Sequence, residues 1–186
     1  MTRAAATERA RCVGEGGRYS PIVVDSDSDT NIDDGEVSLY DWAGGADAIR
    51  RMIDAFYDRV ERNELFSGLF PGGVTEEHRH NVALWWSEVF GGPARYTGEL
   101  GGYERMLAHH LDLGITAEQR AAFVSTMSLA ADDAELPADP EFRSALLAYL
   151  EWGTRIAFEN SQPGAAPVAH APVPRWGWGV APPYRG

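Results

Sequence analysis

Apolar residues recur at three- and four-residue steps along the middle of the chain, a period that predicts helices. The first stripe consists of Ile49, Met52, Ile53, Phe56, Tyr57 and Val60. It predicts a helix over about residues 46–62. Later stripes consist of His78, Val82, Trp85, Trp86 and Val89, and of Phe142, Leu146, Tyr149, Leu150, Gly153 and Ile156. The sequence has no strand-like alternation or hairpin signal, so we predict an all-α fold.

Capping residues mark where three of these helices should begin. Thr75 precedes two glutamates, which favour the N-terminal end of a helix. Thr116 and Gln119 have the spacing of a capping box. Asp139 precedes a proline, a residue favoured at the first helical position. Gly91, Gly92 and Pro93 should end the second of the predicted helices.

Composition divides the chain into three parts. Residues 1–37 are polar and acidic with little apolar surface, which predicts a flexible N-terminal tail. Residues 38–161 carry the helical patterns and form the predicted domain. Residues 162–186 are rich in proline and glycine but contain Trp176 and Trp178, so we expect this C-terminal extension to dock on the domain or on a partner.

Charge and cysteine content narrow the function. The formal net charge is -12, and none of the cations is a lysine, which argues against a nucleic-acid partner. The one cysteine, Cys12, has no partner for a disulfide. No apolar run is long enough to span a membrane and no signal-peptide pattern begins the chain. These features predict a cytoplasmic protein without a membrane partner.

The residues that could carry chemistry are two histidines and a tyrosine. His110 shares a stripe with Tyr103, Met106 and Leu107, so its imidazole should point inward, while His109 is turned about 100° away. His78 and Tyr57 lie on inward stripes of earlier helices. Each could be an ordinary core residue with a satisfied hydrogen bond. Together they form the surroundings that a planar iron cofactor requires, although spacing alone does not prove it.

Several motifs resemble those of one family. They are Leu39-Tyr40-x-x-Ala-Gly-Gly, Phe56-Tyr57-x-x-Val60, Leu69-Phe70-Pro71, Val89-Phe90-Gly91-Gly92-Pro93 and His110-x-x-Leu113-x-Ile115-Thr116. Their order and spacing resemble truncated haemoglobins, with most similarity to group II. The resemblance covers residues 38–161 and leaves both ends of the chain outside.

This resemblance implies a two-over-two helical sandwich around haem b, with His110 as the proximal iron ligand. Tyr57 and His78 would then be the catalytic residues that face the bound ligand. Phe123 stands where group II members commonly have a tryptophan, so no indole N–H is expected there. The residues expected to bind the cofactor are Phe70, Arg79, Val82, Trp85, Arg105, Met106 and Phe123. Among these residues, Arg79 and Arg105 are the candidates for binding the haem propionates.

The same resemblance implies oxygen binding and an oxidoreductase role. A tyrosine donor should slow oxygen release, which favours nitric oxide dioxygenation or peroxide turnover over oxygen delivery, with His78 as a proton shuttle. Dioxygen, nitric oxide or peroxide would be the small ligands, and a separate electron donor or reductase the partner, with a homodimer as one option. Three alternatives stay open: a gas sensor, a specialised biosynthetic haem enzyme, and a non-haem metal site using the histidine pairs with Glu76 and Glu77.

Overall fold

The computed structural model describes residues 37–179, which form seven α-helices and one 3-10 turn and contain no strand. The helices are α1 (Leu39–Ala43), α2 (Gly45–Val60), α3 (Glu76–Val89), α4 (Arg95–Leu100), α5 (Gly102–Ala108), α6 (Ala117–Asp133) and α7 (Pro140–Asn160), with the 3-10 turn at Glu64–Phe66. The prediction of an all-α fold is confirmed. None of these helices combines the length and apolar character needed to cross a membrane. The predicted N-terminal tail lies outside the described residues, except for Val37.

The predicted caps form where the sequence indicated. Thr75 accepts a hydrogen bond from the backbone N–H of His78, which places His78 in the first turn of α3. Thr116 and Gln119 form the full capping box of α6. Asp139 caps α7 with Pro140 at its first position. Local sequence signals therefore define the start of the three long helices that follow α2.

Helix α4 is not among the helices predicted from the sequence. Its N-cap residue, Ala94, has no side chain able to cap the helix. The cap comes instead from Glu88 near the end of α3, whose carboxylate accepts hydrogen bonds from the backbone N–H and the hydroxyl of Thr97. Because the capping carboxylate is nine residues away, no short-range motif marks this helix.

The core lies between α2, α3, α6 and α7. Helix α2 is central because it packs against both α3 and α6, and its apolar stripe is almost completely buried. On the other side, α3 is joined to α7 by a buried hydrogen bond from the Trp85 indole N–H to the Tyr149 hydroxyl, 2.9 Å long. The short helix α5 packs against α4, which in turn packs against α3.

The end of α7 is tied to the turn that follows α5. Ser161 is fully buried, and its carbonyl and hydroxyl accept hydrogen bonds from the amides of Gly114 and Ile115, at 2.8 and 3.0 Å. The Ser161 hydroxyl in turn donates to the carbonyl of Phe158. The turn containing His110 is therefore fixed to a long helix.

The C-terminal extension docks on the helical domain through its tryptophans. The backbone N–H of Trp176 donates to the carbonyl of Val89 at the end of α3, and its indole N–H donates to Ala145 of α7. Trp178 is 9% exposed, packs edge-on against Trp42, and donates its indole N–H to the carbonyl of Val37 at 2.7 Å. Trp178 therefore lies beside Val37, the first described residue of the domain.

Candidate functional site

Tyr57 and His78 meet between α2 and α3. The Tyr57 hydroxyl oxygen and the His78 Nε2 are 2.8 Å apart, and the two rings pack edge to face. Burial raises the pKa of Tyr57, and the nearby Arg79 charge offsets only part of that effect. Burial also lowers the pKa of His78, with further lowering from His109 and His110. Both side chains are therefore neutral near pH 7, and the phenol keeps a proton to donate.

His110 lies in the turn after α5 rather than within the helix, because α5 ends at Ala108. Its Nδ1 is 2.9 Å from the carbonyl oxygen of Met106. Because a carbonyl can only accept, Nδ1 carries the ring proton and Nε2 keeps a free lone pair. Burial lowers the pKa of His110, which keeps the imidazole neutral. This is the protonation state that an axial iron ligand needs.

His109 has a different environment from its neighbour. It is exposed, and its Nε2 accepts a hydrogen bond from Arg105 at 3.2 Å. His110 is half-buried, as expected from the stripe that it shares with Met106. His109 and His110 both lie close enough to His78 to disfavour a positive charge there. His78 and the turn after α5 are therefore neighbours, and the space between them is the candidate site.

Apolar side chains around this space are only partly buried. They include Phe70, Val82, Met106 and Phe123. The Phe70 ring centre is 5.8 Å from those of both Tyr57 and His78, and Phe123 packs on Phe56 at 4.6 Å. A flat apolar group would cover these surfaces, and the lone pair of the His110 Nε2 is suited to its metal. The residues present therefore fit a haem.

The remaining predicted cofactor residues differ in their surroundings. Trp85 is buried among α3, α4 and α7, with Tyr149 and Tyr96 as its partners. The guanidinium of Arg79 donates hydrogen bonds to Asp54, Asp58 and Glu61, on α2 and at its C-terminal end. Arg105 is exposed on α5. Contact with haem stays a prediction for these three residues, as it does for Phe70, Val82, Met106 and Phe123.

Sequence reasoning missed Ser161, which anchors the turn after His110 through Ile115, 46 residues away along the chain. The alternative of a non-haem site with Glu76 and Glu77 gains no support. Among residues 37–179, no group of three or more His, Cys, Asp or Glu side chains is placed to hold a metal ion. Glu76 pairs instead with Arg50.

A helical domain that places a neutral imidazole with a free Nε2 near a tyrosine–histidine pair and partly buried apolar side chains is typical of one class of protein, the haem-binding globins. Residues 38–153 match the model of the bacterial-like globin family, and the chain belongs to that family. It is similar to the group 2 truncated haemoglobin YjbI of Bacillus subtilis, with 33% identity over 111 residues, covering 60% of this chain and 81% of that protein.

Solved structures agree with this assignment. The group II truncated haemoglobin of Bacillus anthracis is 27% identical with a TM-score of 0.58, covering 66% of this chain and 90% of that one. The truncated oxygen-avid haemoglobin of Bacillus subtilis is 31% identical with a TM-score of 0.56, covering 64% of this chain and 97% of that one. The predicted resemblance to group II, the truncated-globin fold and haem as cofactor are confirmed. The protein is thus a haem-binding globin, a family whose members bind small gas ligands such as oxygen.

Proposed function

We propose that this globin holds dioxygen with Tyr57 and His78 as hydrogen-bonding partners and uses it to oxidise nitric oxide to nitrate. A haem b held by His110 would supply an iron able to bind diatomic ligands. The 2.8 Å contact between the Tyr57 hydroxyl and His78 Nε2 carries the proposal. A similar protein from Bacillus subtilis is described as oxygen-avid, which fits tight retention of the ligand.

The pair can act on a ligand because its hydrogen-bonding roles can reverse. When Nε2 of His78 carries the ring proton, it donates to the Tyr57 oxygen. The phenol proton is then free to point towards the ligand. One such hydrogen bond contributes about 1 kcal/mol, which corresponds to roughly fivefold slower ligand release. Slow release suits a reaction of the held ligand better than bulk delivery of oxygen.

His110 and its supports keep the other side of the site fixed. The Met106 carbonyl holds the imidazole in one tautomer, and Ser161 secures the turn that follows.

Conversion of dioxygen and nitric oxide to one nitrate ion consumes one electron. That electron has to come from a separate reductant, which the predicted cytoplasmic setting would supply.

Peroxide turnover is the second candidate function, and the exposure of His78 favours it. Reduction of hydrogen peroxide to two waters consumes two protons and two electrons. His78 is only half-buried and touches the Tyr57 hydroxyl, so it can pass a proton from solvent towards the ligand. The two candidates share the site and differ in their dependence on His78.

The first experiment tests haem binding and its axial ligand. Protein purified with haem supplied should show a Soret band that shifts on reduction and on addition of carbon monoxide. His110→Ala should lose stoichiometric haem, whereas the adjacent control His109→Ala should keep it. Equal haem content in both variants would contradict the assignment of His110.

The second experiment separates the two candidate reactions. Oxygen-saturated protein is mixed with nitric oxide in a stopped-flow instrument, nitrate is measured, and peroxide turnover is assayed separately. Rapid nitrate formation, with about fivefold faster oxygen release in Tyr57→Phe, supports the first candidate. Peroxide turnover that falls in His78→Leu, without rapid nitrate formation, would replace it with the second.

A further inference from the structure

Arg79 follows His78 on α3 and is almost fully engaged with α2. Its side chain is 12% exposed. One guanidinium nitrogen donates to the carbonyl oxygen of Asp54 at 2.9 Å and to the carboxylate of Asp58 at 2.8 Å. The other donates to the carboxylate of Glu61 at 3.1 Å. Asp54 and Asp58 lie on α2 and Glu61 is its C-cap residue, so the planar fork of the arginine joins α3 to α2 at several points.

These contacts surround Tyr57, which lies between Asp54 and Asp58 along α2. The guanidinium carbon is 5.8 Å from the centre of the Tyr57 ring, within the range of a cation–π interaction. His78, the preceding residue, contacts the hydroxyl of the same ring. Two consecutive residues of α3 therefore hold one tyrosine, by its hydroxyl and by its ring.

The charge around Arg79 argues against its predicted role with a haem propionate. Asp58 and Glu61 already neutralise the guanidinium, and a propionate would have to displace one of them or add a further negative charge beside them. Arg105 has no carboxylate partner within residues 37–179, where it donates to His109. Arg105 therefore remains the better candidate for the propionates.

From this geometry we infer that Arg79 is a positioning residue that clamps α3 to α2 and fixes the contact between Tyr57 and His78. The inference rests on the proposed function, in which that pair holds the ligand. Without the clamp, the first turn of α3 can move relative to α2. The Tyr57 hydroxyl would then be hydrogen-bonded to His78 and to the ligand for a smaller fraction of the time.

The test uses the haem-loaded protein and the variants Arg79→Gln and Arg79→Lys. Arg59→Gln is the matched control, because Arg59 on α2 likewise joins two helices, through an ion pair of two hydrogen bonds with Asp133 of α6. Arg79→Gln should release oxygen about fivefold faster than the parent, Arg79→Lys should be intermediate, and Arg59→Gln should be unchanged. Haem transfer to an acceptor globin should stay within about twofold of the parent in all three.

A double variant distinguishes positioning from general loosening of the fold. Adding Arg79→Gln to Tyr57→Phe should not speed oxygen release further, because the interaction that Arg79 supports is already gone. A further multiplicative increase would overturn the inference. So would faster haem transfer in Arg79→Gln with unchanged oxygen release, which is the result expected of a propionate ligand.

Crystal structures separate this inference from the proposed function. In Arg79→Gln, the distance between the Tyr57 hydroxyl and His78 Nε2 should lengthen beyond 3.5 Å or vary between copies, while in Arg59→Gln it should stay near 2.8 Å. If Tyr57→Phe leaves oxygen release unchanged, the proposed function fails, and this distance still decides whether Arg79 is a clamp. An unaltered distance in Arg79→Gln would overturn the clamp alone.

Discussion

Replacing Trp178 with alanine tests whether the C-terminal extension is an integral part of the globin domain. The indole is 9% exposed, lies edge-on to Trp42 at 5.5 Å, and donates a hydrogen bond to Val37. We expect Trp178→Ala to lower the free energy of unfolding substantially. The other packing partner of Trp178 is Phe142, near the start of α7.

The magnitude follows from the buried area and the hydrogen bond. An aromatic side chain buries roughly 200 Å², which at about 25 cal/mol per Å² corresponds to at most about 5 kcal/mol. The extension can withdraw into water when its anchor is lost, which limits the penalty, so we expect a loss of about 3 kcal/mol. For a domain of this size, that lowers the Tm by roughly 6–12 °C.

Thermal and guanidinium denaturation of the haem-loaded protein would measure this loss. Trp152→Ala is the control, because Trp152 is 42% exposed and should cost about 1 kcal/mol. Trp178→Phe keeps an aromatic ring but loses the hydrogen bond to Val37, so it should fall between the parent and Trp178→Ala. The reasoning is refuted if Trp178→Ala is no less stable than Trp152→Ala.

Three further predictions concern other parts of the domain. Ser161→Ala should lower stability by about 1–2 kcal/mol and speed haem loss several-fold, because the turn after His110 loses its anchor; haem transfer to an acceptor globin measures this. Burial raises the pKa of the Tyr149 phenol. The protonated phenol therefore makes its full contribution to the free energy of unfolding below about pH 10, and this contribution is lost as the pH rises further. Tyr149→Phe should therefore reduce the alkaline fall in unfolding free energy by about 1.4 kcal/mol per pH unit, and denaturation at several alkaline pH values would show it. Gly92→Ala should destabilise by about 1–3 kcal/mol, because a Cβ there would lie 2.7 Å from a backbone oxygen, whereas Gly98→Ala on open helix surface should stabilise slightly in the same melts.

Helix positions could be predicted where the determining contacts are local. Thr116 and Gln119 are three residues apart, so the sequence contains the whole capping interaction. Helix α4 was missed because its capping carboxylate, Glu88, belongs to the preceding helix and reaches Thr97 across a turn. The apolar stripe correctly indicated an inward His110, but the orientation of its ring depends on the carbonyl of Met106.

The candidate site was predictable as a set of residues but not as a set of contacts. Periodicity indicated that Tyr57 and His78 point inward, yet only the crossing of α2 and α3 brings their polar atoms to 2.8 Å. Charge alone could not distinguish an Arg79 that binds a propionate from one that binds carboxylates on α2. That choice depends on the side-chain positions of Asp58 and Glu61, which come from another helix.

The hydrogen bond between Trp178 and Val37 brings two distant parts of the sequence together. In a variant shortened to residues 37–179, a short glycine-rich linker would therefore join the two new termini with little distortion of the helices. The chain could then be reopened at an exposed turn, such as the one at Gly72 and Gly73, to give a circular permutant with the same helix packing. New termini at that turn would lie just before α3, which offers a direct way to attach a redox partner close to Tyr57 and His78.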